Sequence, residues 1–231
     1  MQAHDVHRDS HFPGSGCDGQ VCTFSSRTGR LDLDRWAGPA TPTDRRIIDD
    51  VRGPVLDVGC GPGRLVAALR DRGVAVLGIV AAPTAIAGAR ARGRSIEQRS
   101  VFDPLPREGT WETVLLFDGN IGIGGDPTGL LSRTGELMSA DGTVIVELEP
   151  PGADLEFGVV QFEVATGMVG WFPWCWVGAE EIGHLATDAG MKINACREID
   201  GRWFAWLGVR HASKPGHERF DAPNRSTNCD A

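Results

Sequence analysis

Short apolar runs alternate with helical-period segments along the middle of this chain, which is the pattern of strands and helices taken in turn. Val55 to Val58 reads as a buried strand, and Leu65, Val66 and Leu69 share one face of a helix that Gly73 closes. Val74 to Val80 is a second strand, Thr84 to Arg92 an alanine-rich helix and Ser95 to Val101 a third strand. Thr113 to Phe117 is the fourth. Leu130, Leu131, Leu137 and Met138 then continue a helical pattern to Ala140, and Asp141-Gly142 turns the chain into a fifth strand, Thr143 to Leu148. After a helix around Glu180 to Gly190, Met191 to Ile199 and Trp203 to Val209 are expected to form a hairpin about Asp200-Gly201. Ahead of the first strand, Thr43 and Asp44 offer N-cap chemistry for a short helix, Arg45 to Val51. The pattern predicts a single α/β domain over residues 31–210, between a polar arm (1–30) and a polar tail (211–231) without periodicity.

Composition narrows the reading. A length of 231 residues suffices for one well-cored domain, and a net charge of -8 disfavours a broad nucleic-acid surface. The longest apolar stretch, Val74 to Ala89, is broken by Gly78 and Pro83 and is too short to span a bilayer. No basic segment followed by an apolar one opens the sequence, so no signal peptide is expected, and the cytoplasm is the expected compartment. Six scattered cysteines make no C-x-x-C pair, so neither a disulfide framework nor a metal site is expected. His4, His7 and His11 fall in the polar arm and read as part of it.

The chemistry concentrates where the first strand breaks, at Val55-Leu-Asp-Val-Gly-Cys-Gly-Pro-Gly-Arg-Leu65. Gly59, Gly61 and Gly63 permit a tight turn whose main chain a ligand can approach, and the following helix points its positive end at that turn. A dinucleotide fingerprint requires glycine where Arg64 stands, and the Gly-Lys-Ser/Thr of a P-loop is missing. The stretch instead resembles motif I of the class I S-adenosylmethionine-dependent methyltransferases: an aliphatic pair, an acid, an aliphatic residue, then G-x-G-x-G. That resemblance implies a Rossmann-like seven-stranded sheet with helices on both faces and an antiparallel last strand. It also implies S-adenosyl-L-methionine as cofactor and methyl transfer to a small-molecule acceptor by in-line displacement.

By the same resemblance Asp57 braces the loop and the methionine end of the cofactor, while Gly59, Cys60, Gly61 and Gly63 cradle it. Val80 stands where the family places an acid on the ribose hydroxyls, and a valine accepts no hydrogen bond. This motivates an alternative reading as a non-catalytic cofactor-binding or regulatory domain. Phe102 and Asp103 match the adenine position, with Asp-Pro also simple turn chemistry. Arg35, beside Trp36 in the segment before the domain, is a candidate for the cofactor carboxylate. The glycine-rich loop Asp118 to Asp126 follows the strand that lies under the methyl group in the family. Asp118 and Asn120 are therefore the candidate catalytic residues. Asp118 would accept a proton or orient the acceptor and Asn120 hold it, or else Asp118 serves the cofactor or caps its loop and Glu149 or the aromatic stretch 152–177 handles the acceptor. The aromatic stretch 152–177, with Trp171, Phe172, Trp174 and Trp176, either lines an acceptor pocket or forms a hairpin packed on the core.

Overall fold

The computed structural model describes residues 28–30, 38–49, 51–81, 95–164 and 167–210. The expected helix Thr84 to Arg92, Arg35 with Trp36, most of the arm and the tail lie outside these residues. In chain order the elements are β1 (Thr28–Arg30), α1 (Pro42–Ile48), β2 (Val55–Val58), α2 (Arg64–Asp71), β3 (Val76–Val80), β4 (Ile96–Gln98) and β5 (Trp111–Leu116). A 3₁₀ segment (Asn120–Gly125), α3 (Pro127–Leu137), β6 (Met138–Leu148), β7 (Glu156–Val164) and β8 (Gly167–Trp176) follow. The chain closes with α4 (Ile182–Asp188), β9 (Met191–Ile199) and β10 (Arg202–Val209).

Seven strands form one sheet in the order β4-β3-β2-β5-β6-β10-β9. Neighbours from β4 to β6 run parallel, and β10 is antiparallel to both β6 and β9. The last strand in sequence is thus inserted between its hairpin partner and the parallel strands. The order reverses at β2 and β5, so a crevice opens beyond their carboxyl ends, where open α/β sheets take ligands.

Alternation along the strands divides the core. Leu56, Val58, Val114 and Leu116 turn to the face covered by α3 and α4, through Leu130, Leu131 and Leu185. Val55, Leu115 and Phe117 turn to the other, where Ile47 and Ile48 of α1 and Leu65 and Leu69 of α2 cover them. Helices on both faces leave the central strands no solvent side, which is why they read as continuous apolar runs.

Several boundaries differ from those expected, each for a local reason. Thr41 caps α1: its hydroxyl accepts from the Asp44 amide while the Asp44 carboxylate accepts from the Thr41 amide, so the helix starts at Pro42. Thr28–Arg30, expected in the arm, pair in parallel with β7. Asp141-Gly142 makes no separate turn. β6 runs on from Met138, and pairing jumps from Trp111↔Met138 to Thr113↔Thr143, so the intervening residues bulge out of register. β7 and β8 form an antiparallel hairpin, joined with β1 in a second sheet of three strands.

Candidate active site

The first turn of the crevice is fixed by the backbone. Gly59, Gly61 and Gly63 all adopt positive φ, at 70°, 51° and 82°. The amides of Gly59 and Cys60 both donate to the Ile79 carbonyl, at 2.9 and 3.1 Å, which ties the turn to the end of β3. A Cβ on Gly59 would lie 2.6 Å from Asn120 Nδ2, whereas a Cβ on Gly61 would meet nothing within 4 Å. Gly59 is therefore a packing glycine, and Gly61 lines open space at the turn. Gly63, in the left-handed conformation, is the N-cap of α2.

Beneath the turn Asp57 is only 2% exposed, and among the described residues no hydrogen-bond donor reaches its carboxylate. Burial raises its pKa to about 7; the Arg64 charge opposes the shift, and the Asp118 and Asp44 charges add to it. Asp57 is poised between acid and carboxylate near neutral pH.

Beside it lies a cluster of buried ions assembled from five parts of the chain. Arg64, the first residue of α2, directs Nε to Asp44 Oδ2 at 3.0 Å, and Nη1 and Nη2 to the two Asp118 oxygens at 2.6 and 3.0 Å. Arg202, at the start of β10, reaches Asp44 Oδ1 at 2.7 Å and holds both oxygens of Glu147 at 2.7 and 2.6 Å. Glu147 in turn accepts the Asp118 amide at 2.7 Å. Arg202 also lies over the Phe204 ring, its Cζ 5.0 Å from the centroid. The Asp44 side chain is fully buried, and its two arginine partners hold its pKa far below the ordinary carboxylate range despite burial. Three carboxylates around two guanidinia leave the cluster one negative charge in excess, part of the reason Asp57 resists ionisation. None of these pairings was predicted. The Thr41-x-x-Asp44 spacing would have placed the cap correctly, but the Arg202 and Glu147 partnerships leave no local trace in the sequence.

The glycine-rich loop after β5 is held rather than loose. Asp118 adopts φ 57°, its backbone and side chain both engaged by the ion cluster. The Asn120 side chain donates to the carbonyls of Val58 and Gly59, at 2.9 and 3.1 Å, and so clamps this loop to the glycine turn. A Cβ on Gly122 would lie 2.0 Å from the Cys175 carbonyl and 2.7 Å from Trp174 Nε1, so its glycine is there for close packing on β8. Trp174 and Trp176 are buried with Val160, while Trp171 is 56% exposed. The aromatic stretch is thus a hairpin packed on the glycine-rich loop, with one tryptophan left in solvent.

On the outer side, Phe102 is 50% exposed, and a Cβ on Gly124 would touch it at 3.4 Å, so the ring borders the same loop. Asp103 accepts the Ser100 amide at 3.1 Å and closes its own turn. Val80 ends β3 within an apolar cluster of Cys60, Val66 and Ile96. Glu149 sits apart from the ion cluster, its amide donating to the Val177 carbonyl. Among the described residues no group of histidine, cysteine or carboxylate side chains is arranged to hold a metal, and no helix is long and apolar enough to cross a membrane.

No protein-family model matches the sequence, and no curated protein does. Solved structures do match the fold. A SAM-dependent methyltransferase from Bacteroides fragilis, in complex with S-adenosyl-L-homocysteine, superposes with a TM-score of 0.63 at 21% identity, over 78% of this chain and 82% of that one. The methyltransferase CcbJ from Streptomyces caelestis gives 0.58 at 17% identity, over 76% and 92%. An O-methyltransferase from neocarzinostatin biosynthesis, in complex with S-adenosylmethionine and 2-hydroxy-5-methyl naphthoic acid, gives 0.52 at 22% identity, over 68% of this chain and 48% of that one. The strand order, the antiparallel insertion of β10 and the glycine turn at the point of reversal together give this chain the fold of the class I S-adenosylmethionine-dependent methyltransferases.

Proposed function

We propose that this chain binds S-adenosyl-L-methionine and transfers its methyl group to a small-molecule acceptor. One observation carries the reading: Gly61 faces open space at the switch point of the sheet, above a buried carboxyl group that accepts no hydrogen bond from the described residues. A cationic amine over that turn would supply Asp57 with its missing partner. Arg35 remains a candidate for the cofactor carboxylate, and the exposed face of Phe102 suits stacking on a purine. Asp103 retains a second oxygen for an exocyclic amine. When bound, the cofactor supplies an activated methyl group on a sulfonium, so the protein's part is alignment and exclusion of water.

Their hydrogen bonds favour a bracing role for the two polar residues after β5. Asp118, held by both nitrogens of Arg64, and Asn120, clamped to two carbonyls, brace the loop under the methyl position. They act on the acceptor through the placement of that loop. The exposed Trp171 and the buried aromatics of the β7–β8 hairpin support an apolar or planar acceptor, and the naphthoic acid held by one structural neighbour is of that kind.

Calorimetric titration of the purified chain with S-adenosyl-L-homocysteine tests the reading. The expected result is saturable binding by the unmodified protein, and loss of at least about a hundredfold in affinity for Gly61→Val. The added side chain would occupy the open space, at a backbone cost of about 1–2 kcal/mol. Absence of binding by a folded wild-type chain, or binding by a nicotinamide dinucleotide instead, would overturn the assignment.

A further inference from the structure

The end of β3 is where this chain parts from nucleoside-binding α/β folds in general. In such folds an acid at the end of the strand beside the glycine turn takes the ribose hydroxyls. Here that position is Val80, 9% exposed and packed with Cys60, Val66 and Ile96. The turn is welded to this strand end, because the Gly59 and Cys60 amides both donate to the carbonyl of Ile79, the residue before Val80. A nucleoside seated on the turn therefore meets an apolar wall where a carboxylate would stand.

Among the described residues, the acids of β4 and of the loop after β5 are engaged elsewhere. From Arg72 to Ser95 the sequence contains no aspartate or glutamate at all, so the whole crossover after β3 offers none. Glu97 on β4 pairs with Arg99 at 3.3 Å. Asp126 caps α3 by accepting the Gly129 amide at 2.8 Å, and Asp118 is bound by Arg64.

We infer that Val80 makes this site indifferent to the ribose hydroxyls, so that the protein accepts nucleoside cofactors lacking or bearing substituents on those oxygens. The inference rests on the proposed cofactor and concerns which versions of it the chain takes. Where a carboxylate grips the hydroxyls, removing one loses a charge-assisted hydrogen bond, about tenfold to a hundredfold in affinity. An apolar wall has no such bond to lose, and it gains contact from an added methyl group.

Calorimetry with S-adenosyl-L-homocysteine, its 2′-deoxy and 3′-deoxy analogues and its 2′-O-methyl analogue decides the matter on the wild-type chain. All four are expected to bind within about threefold of one another. Val80→Asp, where it folds, is expected to tighten the parent about tenfold or more and each deoxy compound, which keeps one hydroxyl, by less, creating a discrimination the wild type lacks. Should wild type bind the parent but lose about tenfold or more with either deoxy compound, the hydroxyls are gripped by another group and this inference falls while the proposed function stands. Should none of the four bind, both fall. The wild-type series is decisive without the variant.

Discussion

Replacing Arg64 by methionine removes the cation that joins α1, α2 and the loop after β5. The side chain is 3% exposed and serves two carboxylates, Asp44 at 0% and Asp118 at 10% exposure. Breaking a buried pair costs about 3–5 kcal/mol, because the surviving charge is stranded in a medium that solvates it poorly. Asp44 keeps Arg202 at 2.7 Å, so only part of its compensation is lost, while Asp118 loses both of its Arg64 contacts. The expected destabilisation therefore lies near the lower bound, about 3 kcal/mol. Urea denaturation followed by circular dichroism should show this as a lower midpoint at unchanged slope. Adding Asp118→Asn, which suits the positive φ there, should recover part of the loss, since it removes a charge that has lost both Arg64 contacts. A control is Arg46→Ala: that pair with Asp200 is exposed at 64% and 43%, and its loss is expected to cost less than about 1 kcal/mol. Acid titration adds a sign. Asp44's depressed pKa contributes stability that is present above its unfolded value of 3.8 and lost as pH falls through the folded one. Arg64→Met should flatten that acid limb. A cost under about 1 kcal/mol for Arg64→Met, or no recovery in the double variant, would refute the view that these ions are coupled and desolvated.

Asp57 behaves oppositely. Its folded pKa is raised from 3.8 to about 7, so the folded protein holds a proton that the unfolded chain has released, and its contribution to stability declines as pH rises across that window. A cationic ligand over the turn selects the carboxylate. Affinity for S-adenosyl-L-homocysteine should therefore rise about tenfold between about pH 6 and about pH 8, with proton release visible in buffers of different ionisation enthalpy. Asp57→Asn should remove that slope; a persistent slope would assign it to another group. Asn120→Ala deletes one buried and one partly buried hydrogen bond and leaves two carbonyls without this donor, for an expected loss of about 2 kcal/mol in stability together with weaker cofactor binding. Loss of turnover with stability and binding intact would instead make Asn120 a residue that touches the acceptor.

The sequence carried the glycine turn, the order of strands and the closing hairpin because each is a local signal: periodicity, a glycine at a positive φ, a two-residue turn. Asp141-Gly142 shows the limit of that logic. A turn dipeptide can be absorbed as a bulge when the strands on either side find a partner, and only the neighbouring strand decides. Arg64 was legible merely as the residue that breaks a dinucleotide fingerprint. Its purpose depends on Asp44 and Asp118, twenty positions before it and fifty-four after. Asp44 looked like cap chemistry and is that, but its side chain also meets Arg202 across 158 positions. Long-range ion pairs impose no period and no composition, so no window of sequence reveals them. The glycines after Asp118 were legible as a special backbone, though the hairpin they pack against was visible only as one of two possibilities.

The insertion of β10 between β6 and β9 bears on how the molecule is made. On a ribosome, β9 emerges before β10 and has no strand to join, since it touches the sheet only through β10. Asp44 and Glu147 are likewise synthesised well ahead of Arg202, the cation they share. Until the final strand is threaded into its slot, the nascent domain has an open edge at β6 and an incomplete set of counter-ions beside the glycine turn. Completion of the sheet and the pairing of Asp44 and Glu147 with their shared cation are thus one late event, and a chain halted before residue 202 carries the whole glycine turn without the arginine that steadies its surroundings.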